Sequence, residues 1–266
     1  MRYILSAFLL LTLTSFTACT SLSKDKQDLR PANELYNEAM VEIKDQNYEK
    51  AIKLLETLQS RYPYGRYAQQ ALMEVAYANF KLSEPDPALS ATDRFIKQYP
   101  NSPNLDYVYY LKGLINFNDN AGFFSRLSHQ DPAERDPQTL RDSFNAFRDL
   151  VERFPDSRYA ADARLRMQFL LNTLSRSDIR VASYYLRRGA YIAAINRANS
   201  VLKQFPQTRQ TRDALQIMVL SYNAMGMNDL RDDTQRVLDL NVAKDGIKPS
   251  IEATLRPSGS WWQFWL

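Results

Sequence analysis

The feature that most constrains this chain is an aromatic residue followed by proline, met as Tyr62-Pro63, Tyr99-Pro100, Phe154-Pro155 and Phe205-Pro206. Counting back from each proline aligns the preceding segments without a gap. Five residues earlier stand Leu58, Phe95, Leu150 and Val201, and eleven earlier Ile52, Leu89, Phe144 and Ile195. Twelve earlier are the small residues Ala51, Ala88, Ser143 and Ala194. These offsets lie close to one face of a 3.6-residue helix, and a small residue on that face lets a second backbone approach. Proline lacks the N–H that would continue the helix and disfavours helical geometry in the residue before it, so each helix stops at a fixed place.

Two residues beyond the prolines, Gly65, Ser102, Ser157 and Thr208 are acceptable N-caps, and eight beyond, Ala71, Val108, Ala163 and Ala214 are small or compact. The proline is thus the reset between stacked helical hairpins. The 37 residues from Pro63 to Pro100 are close to the roughly 34 of a tetratricopeptide repeat. From Pro100 to Pro155 there are 55, the surplus holding "NDNAGFFSRLSHQDPAERDP", whose Gly122, Pro132 and Pro137 mark an irregular excursion. From Pro155 to Pro206 there are 51, and that surplus of 14 residues contains no proline. It amounts to about 3.9 helical turns, which predicts a helix lengthened from about Ser157 towards Arg188.

The expected fold is therefore all-α, a tetratricopeptide-repeat solenoid of about five helix pairs. First helices are expected near 33–45, 66–82, 103–117, 157–186 and 209–225, and their partners near 48–62, 86–99, 138–154, 189–205 and 228–241. Only 7 Gly and 24% charged residues agree with helices rather than a turn-rich sandwich. Such pairs bury their faces only by stacking, and the stack leaves a groove suited to peptides.

The ends read differently. Residues 1–18 resemble a signal peptide, with Arg2 ahead of "YILSAFLLLTLTSF", an apolar stretch too short for an ordinary membrane span. "FTAC" follows, with Thr17 and Ala18 before Cys19, the one cysteine of the chain; Phe16 stands where a bacterial lipobox usually has Leu. Cys19 is expected to carry a covalent lipid, and the alternative is a spare residue near a conventional cleavage site. Thr20, rather than Asp, next to it implies the periplasmic face of the outer membrane. Residues 19–32 form a polar tether, 33–242 the solenoid and 243–266 a tail ending in "WWQFWL". Trp261, Trp262 and Trp265 are all the tryptophans present, and they are expected to lie in the membrane interface or else to clasp a partner.

The formal charge of +4 is the difference between 34 basic and 30 acidic residues interspersed along the chain, which is no nucleic-acid footprint. With His129 the one histidine and no thiol left once Cys19 is acylated, zinc and Cys–His chemistry have no ligands, and no phosphate-binding or nucleophile-elbow motif occurs. Counting alone does not exclude a two-carboxylate hydrolase, but the acids fall mostly on solvated faces. No enzyme and no cofactor beyond the lipid are expected. Two clusters remain. "RYPYGRY" sets Tyr62, Tyr64 and Tyr67 around one corner with Arg61 and Arg66. Tyr62 is also explained as a core residue, whereas Tyr64 and Tyr67 suit an extended peptide ending in aromatics and a carboxylate. "SYYLRRGAYIAAINR" gathers Tyr184, Tyr185, Arg187, Arg188 and Arg197 about Gly189, either a salt-bridged helix end or a docking surface.

"RYPYGRYAQQ", "DRFIKQYPNSPNLDYVYYLKGL", "ERDPQTLRDSF", "VASYYLRRGAYIAAINR" and "TRDAL" closely resemble the BamD family, lipoproteins of the outer-membrane β-barrel assembly machine, over residues 30 to 230. The resemblance implies a lipid-anchored scaffold that binds unfolded outer-membrane proteins, docks on the periplasmic domains of BamA and works beside other Bam lipoproteins. It places Tyr62, Tyr64, Gly65 and Tyr67 on the client side and Tyr184, Arg187, Arg188 and Arg197 on the BamA side. Two other classes stay open: another envelope tetratricopeptide scaffold, coordinating cell-wall synthesis with division, and a lipid-anchored hydrolase.

Overall fold

The computed structural model describes residues 30–117 and 137–251. The signal segment, Cys19, most of the tether, His129 and the tryptophans Trp261, Trp262 and Trp265 lie outside the described residues.

Within the described residues the chain forms ten helices and no strand: α1 (Ala32–Lys44), α2 (Tyr48–Arg61), α3 (Arg66–Lys81), α4 (Pro85–Gln98), α5 (Leu105–Phe117), α6 (Pro137–Arg153), α7 (Ala160–Arg187), α8 (Tyr191–Gln204), α9 (Gln210–Ala224) and α10 (Asn228–Asp245). Each packs on the next, and the first helices α1, α3 and α5 also touch in turn, as do α7 and α9. This is the all-α solenoid of five pairs that the spacing predicts. The long α7 runs unbroken and packs on α6, α8 and α9.

The hinge repeats in detail. The N–H of Tyr62, Tyr99, Phe154 and Phe205 donates to the carbonyl of Leu58, Phe95, Leu150 and Val201 respectively, at 2.8 to 2.9 Å. Tyr62, Tyr99 and Phe205 then leave the helical region with φ between −122° and −130° and ψ between 49° and 65°. The side chains of Leu58, Phe95, Leu150 and Val201 are fully buried, as are Ala51, Ala88, Ser143 and Ala194 two turns earlier on the same face. Each large apolar side chain buried in this way contributes about 1.5–3 kcal/mol. Ile52, Leu89, Phe144 and Ile195 are half-buried at the edge of the same stripe.

Starts are less uniform than the N-cap reading supposes. Gly65 caps α3 at φ 96°, a left-handed backbone that disfavours other residues. At Ser102 and Ser157 the hydroxyl accepts from the N–H two residues on, and the carbonyl accepts from Leu105 and Ala160, so a tight turn precedes each helix. Thr208 instead donates its hydroxyl to the Phe205 carbonyl, while its own carbonyl accepts from the Thr211 N–H as in the other turns. Pro137, expected within the irregular excursion, opens α6, where its missing N–H costs no helical bond.

Inside the pairs a second device recurs. Gln46, Ser83, Gly189 and Gly226 adopt φ between 62° and 74°, and each turn closes with paired bonds back into its helix, as from Asn47 to Glu42 and from Ala190 to Tyr185. At the far end α10 runs past the boundary expected at 242. Asp213 of α9 accepts hydrogen bonds from the Ser250 N–H (2.6 Å) and hydroxyl (2.8 Å), and Ile251 enters the core.

Helices α5 and α6 meet closely at Gly113. A Cβ on Gly113 would stand 2.4 Å from the Phe147 ring, and the Ser143 hydroxyl donates to the Gly113 carbonyl at 2.9 Å. Phe147 is fully buried and cannot retreat without opening the core. Gly113→Ala is therefore expected to lower the unfolding free energy by about 1–3 kcal/mol, measured by urea denaturation.

Candidate functional site

Tyrosines crowd the face formed by the first helices. On α3, Tyr67, Gln70, Glu74 and Tyr77 follow a stripe of one helical face; on α5, Tyr107, Tyr110 and Phe117 do the same, and on α7, Asp162, Arg166 and Phe169. Tyr159 stands just ahead of α7 as its N-cap. All the tyrosines named are half-buried. The rings meet across helices: Tyr36 of α1 lies 5.6 Å from Tyr67, Tyr107 lies 5.7 Å from Tyr159, and Tyr110 stacks on Tyr159 at 4.7 Å and 18°. Each such pair is worth about 0.5–1.5 kcal/mol beyond its buried area, so the face is rigid before anything binds to it.

Arginines frame it. The Arg66 guanidinium lies over the Tyr67 ring at 4.8 Å and donates to its hydroxyl at 3.0 Å. Arg158 repeats this over Tyr159 at 4.7 Å, again donating to the hydroxyl. The two dipeptides sit at the same distance past Pro63 and Pro155, so the repeat generates the same corner twice. Between α5 and α7, Asp162 accepts from Tyr110 (2.7 Å) and from Arg166 (2.6 Å). Burial works against the Asp162 charge, but those two bonds outweigh it and hold the carboxyl below its ordinary range.

Glu74 lies between the tyrosine groups. Burial raises its carboxyl above the ordinary glutamate value. Burial, with the Glu74 charge next, raises the phenols of Tyr36 and Tyr107, so both stay neutral donors at any physiological pH. Burial and then the bond to Asp162 raise Tyr110 likewise.

Of the residues expected at the first corner, Tyr64 projects into solvent at 89% exposure. Tyr67 joins the tyrosine face, and Gly65 supplies the left-handed turn between them. Tyr62 turns inward, its hydroxyl donating to the Arg30 carbonyl at 3.2 Å and so fastening the start of the described chain. At the second cluster Tyr184 is 49% exposed, packs against Tyr185 and lies under Arg188 at 5.8 Å, with Arg187 exposed alongside. Arg197 is committed within the fold, 3.2 Å from the carboxylate of Asp178, which is 8% exposed. Removing Arg197 would take an ion-pair partner from a buried carboxylate, so its variants report on folding.

Tyr36, Glu74, Tyr77, Tyr107, Tyr110, Tyr159 and Asp162 escaped the sequence reading, which counted forward from the prolines only to the cap and the small buried position. The recurrence of Arg-Tyr-Ala in "GRYAQQ" and "SRYAAD" marks Tyr159 and, three residues on, Asp162, and no sequence signal marks the others. Among the described residues no group of three His, Cys, Asp or Glu is placed to hold a metal ion, and no helix is long and apolar enough to cross a membrane.

The model of the YfiO family, described as outer membrane lipoprotein, matches residues 28–238. The chain belongs to that family. The match spans the whole tyrosine face and the Tyr184–Arg197 cluster. Relatives of this YfiO chain include the outer membrane protein assembly factor BamD of Neisseria meningitidis serogroup A, 40% identical over 267 residues and 99% of each chain. The proteins of the same name from Pasteurella multocida (37% identical, 96% of this chain and 97% of the relative) and Haemophilus influenzae (34%, 92% and 93%) are similar along nearly their whole length.

The buried Glu74 carboxyl has a measurable signature. A raised folded-state pKa means that the fold binds the proton more tightly than the unfolded chain, so stability is lost as pH rises through the raised value. Glu74→Gln is expected to raise the thermal unfolding midpoint at pH 8, with the gain shrinking towards about pH 4, where glutamate protonates in the unfolded chain as well.

Proposed function

We propose that this chain is a membrane-held, non-enzymatic scaffold of outer-membrane protein assembly, whose first-helix tyrosine face takes an extended segment of an unfolded outer-membrane protein. Membership of the outer membrane lipoprotein family and the name carried by its relatives, outer membrane protein assembly factor, support the role. The observation that carries the binding reading is the tyrosine face itself: half-buried rings that pack on one another, framed by Arg66 and Arg158. Rings of this kind offer apolar area at little entropic cost, since they are already ordered by one another. An extended client segment alternates its side chains and can lay one row on them.

In this reading a lipid on Cys19 holds the scaffold to the periplasmic face of the outer membrane. Tyr62 holds Arg30, the first described residue, beside the client corner. The exposed end of α7 and the start of α8, with Tyr184, Arg187 and Arg188, docks on the periplasmic domains of BamA, and other Bam lipoproteins complete the assembly. Exposed Tyr and Arg together are the residue types that dominate protein interfaces.

Photo-crosslinkers placed at Tyr64 and at Tyr184 test both halves in whole cells. The expected result is adducts with nascent outer-membrane proteins from Tyr64 and with BamA from Tyr184. Exchange of the two partners, or adducts with cell-wall enzymes in their place, would contradict the assignment.

A further inference from the structure

Glu74 has no structural partner that accounts for it. Among the described residues it forms no hydrogen bond and no ion pair, and it is half-buried on the α3 stripe that carries Tyr67 and Tyr77. The cations of the face are engaged elsewhere, Arg66 on Tyr67, Arg158 on Tyr159 and Arg166 on Asp162. The titratable groups its charge reaches are Tyr36 of α1 and Tyr107 of α5. A half-buried carboxyl held without a partner costs the fold stability, and a packed solenoid has no use for it at this position. Its surroundings are the rings on which an extended segment would lie. An incoming donor there would recover the missing interaction, whereas an incoming carboxylate would set two like charges side by side in a poorly solvated site.

We propose that Glu74 is the specificity-determining acceptor of the tyrosine face. It selects extended segments that bring a hydrogen-bond donor, a Lys, Arg or amide side chain, between two aromatic residues, and it rejects segments with Asp or Glu there. This rests on the reading of the face as the client site.

The test uses the full lipidated chain in detergent and short labelled peptides of the form aromatic–X–aromatic, identical except for X as Lys, Gln or Glu. Binding is read by fluorescence anisotropy. Wild type is expected to prefer Lys over Glu at X by at least about tenfold, and Glu74→Gln to reduce that preference below about threefold. Glu74→Asp, which keeps the charge but draws it back by one methylene, is expected to retain part of the preference. A benzophenone in place of one aromatic then maps where each peptide lies. Labelling confined to helices other than α1, α3, α5 and α7 would overturn the reading of the face. Labelling on those helices with no preference in wild type, or with a preference undiminished in Glu74→Gln, would overturn the role of Glu74 and leave the face standing.

Discussion

The architecture depends on one local constraint, the aromatic–proline step that ends the second helices α2, α4, α6 and α8. The aromatic N–H still closes a helical bond to the carbonyl behind it, while the following proline forbids the next one. The chain therefore turns at the same point of the helical wheel each time, with a fully buried Leu, Phe or Val one turn back and a small residue near the helix start. A hinge reproduced this closely brings every first helix back to one layer. A layer of that kind is what lets side chains from α1, α3, α5 and α7, far apart in sequence, form one surface.

That surface carries a conflict between stability and use. Several of its polar groups are satisfied within the fold: the hydroxyls of Tyr67, Tyr159 and Tyr110 by Arg66, Arg158 and Asp162 respectively, and Asp162 in turn by Arg166. Glu74 breaks the pattern, since it is half-buried, raised in pKa by burial and without a hydrogen-bond partner among the described residues. The second cluster shows the opposite arrangement. There Arg197 is spent on Asp178, and Tyr184 and Arg187 carry the exposed part of the surface. The two ends of the solenoid thus differ in kind: a preorganised aromatic face at one, and exposed Tyr and Arg at a helix corner at the other.

Much of the fold was legible because hinge positions are fixed by backbone chemistry that proline and a buried stripe announce. The lengthened α7 followed from residue counting, since an insertion of nearly whole turns keeps a helix in phase. Turn chemistry was less legible. Gln46 and Ser83 hold left-handed positions that Gly occupies in the later pairs, and the Thr208 hydroxyl bonds backwards rather than capping. The site was half visible. Tyr64 and Tyr67 stood out by local density, but Tyr107, Tyr110 and Tyr159 gain meaning only when α5 and α7 are brought together. Nothing in the sequence marks Glu74 as unpaired, because pairing is a property of the packed layer.

The central claim is that the first helices present one continuous binding face. Hydrogen–deuterium exchange, compared with and without a saturating aromatic-rich peptide, tests it most directly. Added protection is expected in α1, α3, α5 and the first half of α7, with α2, α4 and α8 unchanged. Protection concentrated in those second helices, or confined to a single pair, would contradict the account.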